Sequence, residues 1–358
     1  MSGEAVTSAA MSSTKTRLGL AALGLALLGL AAWGLPAVLS DYMTRVLIVI
    51  CINAILVSSM GVSNGFTGVF SLGHVGFVAV GAYVSGILSL PVEAKAAYLS
   101  DLPGWLSGWS LAFLPATLVA GIVCVILALI VGAPLMRLSG YYVSVATLGF
   151  LIIVNVVLVN ADAFTRGART FTGVPVETTL PWALGWLAVA LVVLARIAYS
   201  PKGRTFRAVR EDMIAAQAIG IDVLSTRLTA FTVGAFFAGV GGSLFGHYLG
   251  SFSPAAFYFA YTFALISMLV IGGMESLTGA VAGVVIVSIL GELLRNLERG
   301  FALGPLVLPP LYGASQIMLG IIFILVMIFR PRGLFGDAEL SLGRLIGLFR
   351  QTGKGVRQ

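Results

Sequence analysis

An all-α polytopic membrane protein of about ten transmembrane helices, at ~20 residues per span, is the fold class this sequence predicts. Composition is the first reason. Of 358 residues 59% are hydrophobic and only 10% charged, and the mean hydropathy is +1.04. A soluble globule carries about 25% charged residues as polar cover, so a chain this apolar needs lipid as its solvent. The second reason is pattern: apolar runs of span length fill most of the chain, and the charges collect between them. Net charge is +7. No basic stripe with interleaved aromatics accompanies it, so the excess reads as cytoplasmic-loop charge and not as a nucleic-acid surface. Cys51 and Cys124 each fall inside an apolar run, with no disulfide framework and no metal-ligand spacing.

In order, residues 1–17 are a polar amino-terminal tail ending in Lys15 and Arg17, and residues 18–330 are the transmembrane domain. The run 18–39 has the charged flank of a signal peptide. Its length, and the spans that follow at once, make it a retained first helix. The second span covers 45–61. Residues 62–90 then carry glycines at 65, 68, 73, 76, 81 and 86, a density that predicts close helix contacts or a broken helix. A polar loop with Trp105 and Trp109 at the interface leads to the fourth span, 111–135, closed by Arg137. The fifth is 141–160 and the sixth 181–197, separated by a polar segment with Asp162, Arg166, Arg169 and Glu177. Spans seven to ten are 228–249, 257–271, 277–294 and 312–329, and 331–358 is a basic tail.

With both termini cytoplasmic, ten spans leave Arg45, Lys95, Arg166, Arg169, Arg295 and Arg299 outside and the remainder of the 21 basic residues inside, as the positive-inside rule requires. Gly65-x-x-Gly68 before Leu72-Gly73, and Gly272-Gly273 before Leu277-x-Gly279, both open a span from the cytoplasmic side, a faint echo of a duplicated half.

The remaining chemistry is mostly negative. No lysine follows the G-x-x-x-x-G-K-[ST] spacing, so this chain does not hydrolyse ATP by itself. The span interiors hold almost no ionisable residues, against an ion-coupled secondary transporter. No Ser/His/acid set or carboxylate pair suggests an intramembrane enzyme. His74, in the glycine-rich break, either packs or lines a pathway, and His247 is expected at the outer interface of span seven.

The conspicuous polar segment is 199–227. Ser200-Pro201 supplies an N-cap and a first-turn proline, with the helix proper expected a few residues later. From Arg207 one helix is expected through to Gly220 as its C′ residue, with Ile214, Ala215, Ala218 and Ile219 on one face. Such a helix either enters a partner's groove or rests on headgroups.

These residues resemble the permeases of ABC importers for branched-chain amino acids, of the LivM type. Ala215-Ala216-x-x-x-Gly220, preceded by Gly203-Arg204, Arg207-Ala208 and Arg210-Glu211, is similar to that family's ATPase-coupling motif, with Ile214 where other importers often have glutamate. Ser71-Leu72-Gly73 with Gly81-Ala82-Tyr83, Arg137-Leu138-x-Gly140-x-Tyr142 with Thr147-Leu148-Gly149-Phe150, Ser276-Leu277-Thr278-Gly279, and Pro331-Arg332-Gly333-Leu334-Phe335-Gly336 follow in matching order over roughly 45–336.

The resemblance implies an ABC importer permease fold with broken glycine-rich helices, in a bacterial inner membrane. It implies a second permease subunit, as a heterodimer, and two ATPase subunits that carry ATP and Mg, this chain binding no cofactor. A periplasmic or extracellular binding protein would deliver a small-molecule solute. Arg207, Arg210, Glu211, Ala215, Ala216 and Gly220 would couple to the ATPase. Gly73, His74, Gly76, Gly81, Tyr83, Tyr142, Thr147 and Gly149 would line the pathway, where backbone groups at broken helices can hold a zwitterionic head.

Departures bear on cargo. Arg166-Gly167-Ala168-Arg169-Thr170 replaces a glycine-rich run, Ser139 replaces an arginine, and Glu275 stands where glycine is common. The two arginines either admit a more anionic solute or a different binding protein, or decorate a loop. Aromatic, short carboxylate, amide or urea-like solutes are the alternatives to hydrophobic amino acids, and a non-ABC secondary transporter is the alternative class.

Overall fold

The computed structural model describes residues 39–298 and 313–330, together with 34, 302–303, 306–307 and 333–336. The run 18–39 and the tail 1–17 lie outside the described residues apart from Gly34 and Leu39, as does most of 331–358.

Helix α1 (Asp41–Gly61) starts where the Ser40 hydroxyl accepts from the Met43 amide, with Asp41 in the positively polarised first turn. It runs straight into one π turn, Val62–Phe66, and then loses helical form until α2 (His74–Ser89). The break expected from the glycines is therefore present. After Pro91 the chain turns by 115° into α3 (Val92–Tyr98). Next come α4 (Phe113–Leu135), α5 (Tyr141–Asn160) and α6 (Leu180–Ala198), then two short helices, α7 (Pro201–Glu211) and α8 (Met213–Ala218). The bundle closes with α9 (Val223–Leu249), α10 (Phe259–Gly272), α11 (Leu277–Glu298) and α12 (Ala314–Phe329).

Among the described residues seven helices are long and apolar enough to cross a membrane, or eight if the bent α2–α3 pair is one span; the apolar part of α12 is shorter. Two short strands, β1 (Phe171–Thr172) and β2 (Ser251–Phe252), pair antiparallel and tie the α5–α6 connection to the end of α9. Up-and-down alternation sorts the connections. The α1 break, the start of α2, α7, α8 and the α10–α11 turn share one end, the α7 end. The β1–β2 pair, α3 and the exposed Trp105 share the other.

The core forms where α9 packs on α2 and α4. Lipid offers no hydrophobic drive between helices, so close packing of small residues must supply the contact. A Cβ on Gly81 would overlap the Gly239 carbonyl oxygen, so backbone meets backbone there. Small polar pairs add to it: Thr117 and Ser243 hydroxyls lie 2.8 Å apart, and Ser89 Oγ is 2.8 Å from His247 Nε2.

Several expectations are corrected. The single helix expected from Arg207 to Gly220 is two, because Asp212 adopts an extended backbone (φ −152°) and its carboxylate accepts from the Ile214 and Ala215 amides at 2.8 and 3.0 Å. A short acidic side chain that caps the next turn ends the previous helix. Helix α7 begins at Pro201 without delay, the Ser200 hydroxyl accepting from the Gly203 amide at 3.4 Å. His247, in the last turn of α9, is fully buried, its Nδ1 2.9 Å from the Ser243 carbonyl and its ring against Phe113, so it packs inside the protein and does not face its surroundings. Lys95 is buried too, donating to the Leu106 and Trp109 carbonyls at 3.0 and 2.6 Å.

Candidate functional site

The α7–α8 pair is anchored by an inward face and presents an outward one. Gly203, Phe206 and Val209 recur at helical spacing and bury against the bundle. Ala216 packs with Val209 and Val223. Gly220 takes φ +84°, the left-handed C′ conformation that glycine adopts without strain, and Asp222 caps the start of α9 by accepting from the Ser225 amide. Ile214 and Ile219 are left 77% and 76% exposed, beside exposed Ala215 and Ala218. The apolar face expected from the sequence therefore points away from the protein. Of the alanine pair, Ala215 faces out and Ala216 in.

The coupling residues divide in the same way. Arg207 lies over the Phe66 ring at 5.6 Å, on the π turn. Arg210 turns inward: Nη1 donates to the Gly65 carbonyl at 3.1 Å and pairs with Glu275 at 3.0 Å, while Nη2 reaches Glu211 at 2.5 Å. Burial alone would lower the Arg210 pKa, but its hydrogen bond to Glu211 and the charges of Glu275 and Glu211 outweigh that and hold it above its ordinary value. A cavity of about 260 Å³ opens here between the α1 break and the α10–α11 turn, lined by Asn64, Gly65, Gly68, Phe70, Arg210, Val270, Met274 and Glu275.

The two glycine breaks that echo each other in sequence meet at this point. A Cβ on Gly65 would overlap the Met274 carbonyl. Leu334 and Phe335 complete the junction by donating their amides to the Ile271 and Gly272 carbonyls at 2.9 and 3.1 Å.

The expected pathway residues do not form one cluster. Gly73 and Gly76 lie against Thr147 and Phe150, and the Thr147 hydroxyl accepts from the Leu72 amide at 3.0 Å, so the start of α2 is held on α5. His74 faces the other way, 2.9 Å from the Ser59 hydroxyl and beside Gly234. Gly81 is at the α2–α9 crossing. Tyr83 is buried near the opposite end among Phe171, Phe252 and Phe257. Tyr142 is 75% exposed, and Gly149 adjoins an apolar hollow with Leu127 and Ile153.

Of the two arginines peculiar to the 166–170 segment, Arg166 folds its own loop. It adopts φ +63°, donates to the Thr170 carbonyl and Thr172 hydroxyl at 2.9 and 2.7 Å, and covers the Tyr98 ring. Arg169 is exposed. Asn64 escaped the sequence reading; its amide braces the break by bonding the Ser71 backbone at 3.1 and 3.3 Å. A buried asparagine inside an apolar run was the available signal.

Residues 42–327 match the family described as the branched-chain amino acid transport system, permease component. The chain belongs to that permease family. The high-affinity branched-chain amino acid transport permease LivM of Salmonella typhimurium LT2 is 30% identical over 314 residues, 78% of this chain and 67% of its own length. The Escherichia coli K12 LivM is 29% identical over the same extent. A second kind of permease, LivH of Salmonella typhimurium, is 29% identical over 187 residues, covering 51% of this chain and 56% of its own length. As a member of this family the chain is a multi-pass transport permease.

Proposed function

We propose that the chain is a permease subunit of an ATP-driven importer for branched-chain or related hydrophobic amino acids, working by alternating access. It would pair with a second permease, two ATPase chains and a soluble binding protein, with ATP and Mg held by the ATPases. The LivM and LivH relatives, named for branched-chain amino acid transport, support the cargo class. One observation carries the ATPase docking: Ile214 and Ile219 stand exposed on a capped, inwardly anchored helix at the α7 end. An apolar pair so displayed suits the groove of a partner, and the rigid seat below it would transmit a push.

Substituting both isoleucines with aspartate tests the docking. A charge placed in a desolvated groove costs about 2 kcal/mol or more, so ATPase co-purification should weaken roughly 30-fold while the permease still folds. Undiminished co-purification would place the face on headgroups instead.

A further inference from the structure

We propose that Arg210 and Glu275 form a latch that carries movement of the ATPase-facing helices to the two broken segments at the α7 end. This rests on the reading of α7–α8 as the docking element, and it gives Glu275 a positioning role separate from docking.

Three chain segments meet at one guanidinium. Arg210 belongs to the last turn of α7, yet its side chain is only 21% exposed, against 70% for its neighbour Glu211. Its stem packs on Gly68, whose φ of +69° puts the chain in the left-handed region, and its Nη1 bonds both the Gly65 carbonyl and Glu275. Gly65 lies in the π turn that ends α1, and Glu275 in the turn between α10 and α11. Both are places where the regular helical ladder is interrupted, and interrupted ladders yield before intact helices do. Gly65 already abuts the Met274 carbonyl, so a displacement of either segment is felt by the other.

The other buried residues of α7, Gly203, Phe206 and Val209, carry no charge and hold it by packing alone. Charge-assisted hydrogen bonds are directional and resist pulling, so Arg210 is the member able to drag the break and the turn together. Arg207 on the Phe66 ring is a second hold on the same π turn. Glu211, on α7 itself, orients the guanidinium through Nε and Nη2 at 3.2 and 2.5 Å. The cavity between the segments gives them about 260 Å³ in which to move. Glu275 stands on the α10–α11 turn and not on the exposed face of α8, so removing it should leave docking intact.

The test uses the assembled transporter carrying Glu275→Ala or Glu275→Gln, with ATPase co-purification, ATP hydrolysis and uptake of labelled leucine measured on the same preparation. The ATPases should co-purify at the unsubstituted ratio and hydrolyse ATP. Uptake per ATP should fall about tenfold in the alanine variant, the scale of one charge-assisted hydrogen bond. The glutamine variant, which keeps an acceptor, should fall less. An unchanged uptake-to-ATP ratio in Glu275→Ala would overturn the latch. So would failure of both variants to assemble, which would make the pair a folding contact. If the docking reading itself is wrong, the Ile214 and Ile219 variants will keep their ATPases, whatever Glu275 does.

Discussion

A Cβ on Gly81 would meet the Gly239 carbonyl oxygen and α-carbon, whereas nothing lies within 4 Å of one on Gly149. The first overlap is with backbone, which cannot rotate aside, and overpacking of this kind costs about 1–3 kcal/mol. Gly81→Ala should therefore lower the thermal midpoint of the detergent-purified protein, while Gly149→Ala leaves it unchanged. Equal midpoints would mean that α2 and α9 do not cross so closely. Asp212 makes a different kind of contribution, since its carboxylate satisfies two otherwise unpaired amides at the start of α8. Losing such a cap costs about 1 kcal/mol, so Asp212→Ala should speed hydrogen exchange of the Ile214 and Ala215 amides roughly fivefold. Exchange at the α7 amides, whose bonds lie before the cap, should not change.

At the scale of elements, the spans 141–160 and 277–294 were legible because uninterrupted apolar runs between charges leave little freedom in lipid, and the structure gives Tyr141–Asn160 and Leu277–Glu298. The glycine-rich break was legible for the complementary reason, that glycines at 65, 68 and 73 free the backbone to leave the helical ladder. Less was visible where one side chain redirects the backbone. Asp212 reads as an ordinary helical surface residue unless its capping of Ile214 is weighed, and that splits one expected helix into two. Contacts across long sequence distance were out of reach: nothing near Glu275 in sequence names Arg210, and the pair arises only because α7 folds under the α10–α11 turn. The exposed face of α8 was readable from the spacing of Ile214, Ala215, Ala218 and Ile219, but which of Ala215 and Ala216 faces inward was decided by Val209 and Val223.

For the whole molecule, alternation of the helices gathers the α1 break, the α10–α11 turn, the 333–336 segment and the α7–α8 pair at one end. A push delivered on α8 thus has a short physical route to both breaks, through apolar packing and one guanidinium. Such an arrangement suits a permease that a separate ATPase drives. The most direct measurement is uptake of labelled leucine into vesicles holding this permease with the proposed second permease, ATPases and binding protein. Uptake should require ATP and the ATPases, persist when proton and sodium gradients are collapsed, and be lost in the Ile214→Asp, Ile219→Asp variant. Uptake that continues without the ATPases and follows an ion gradient would contradict an ATPase-driven permease.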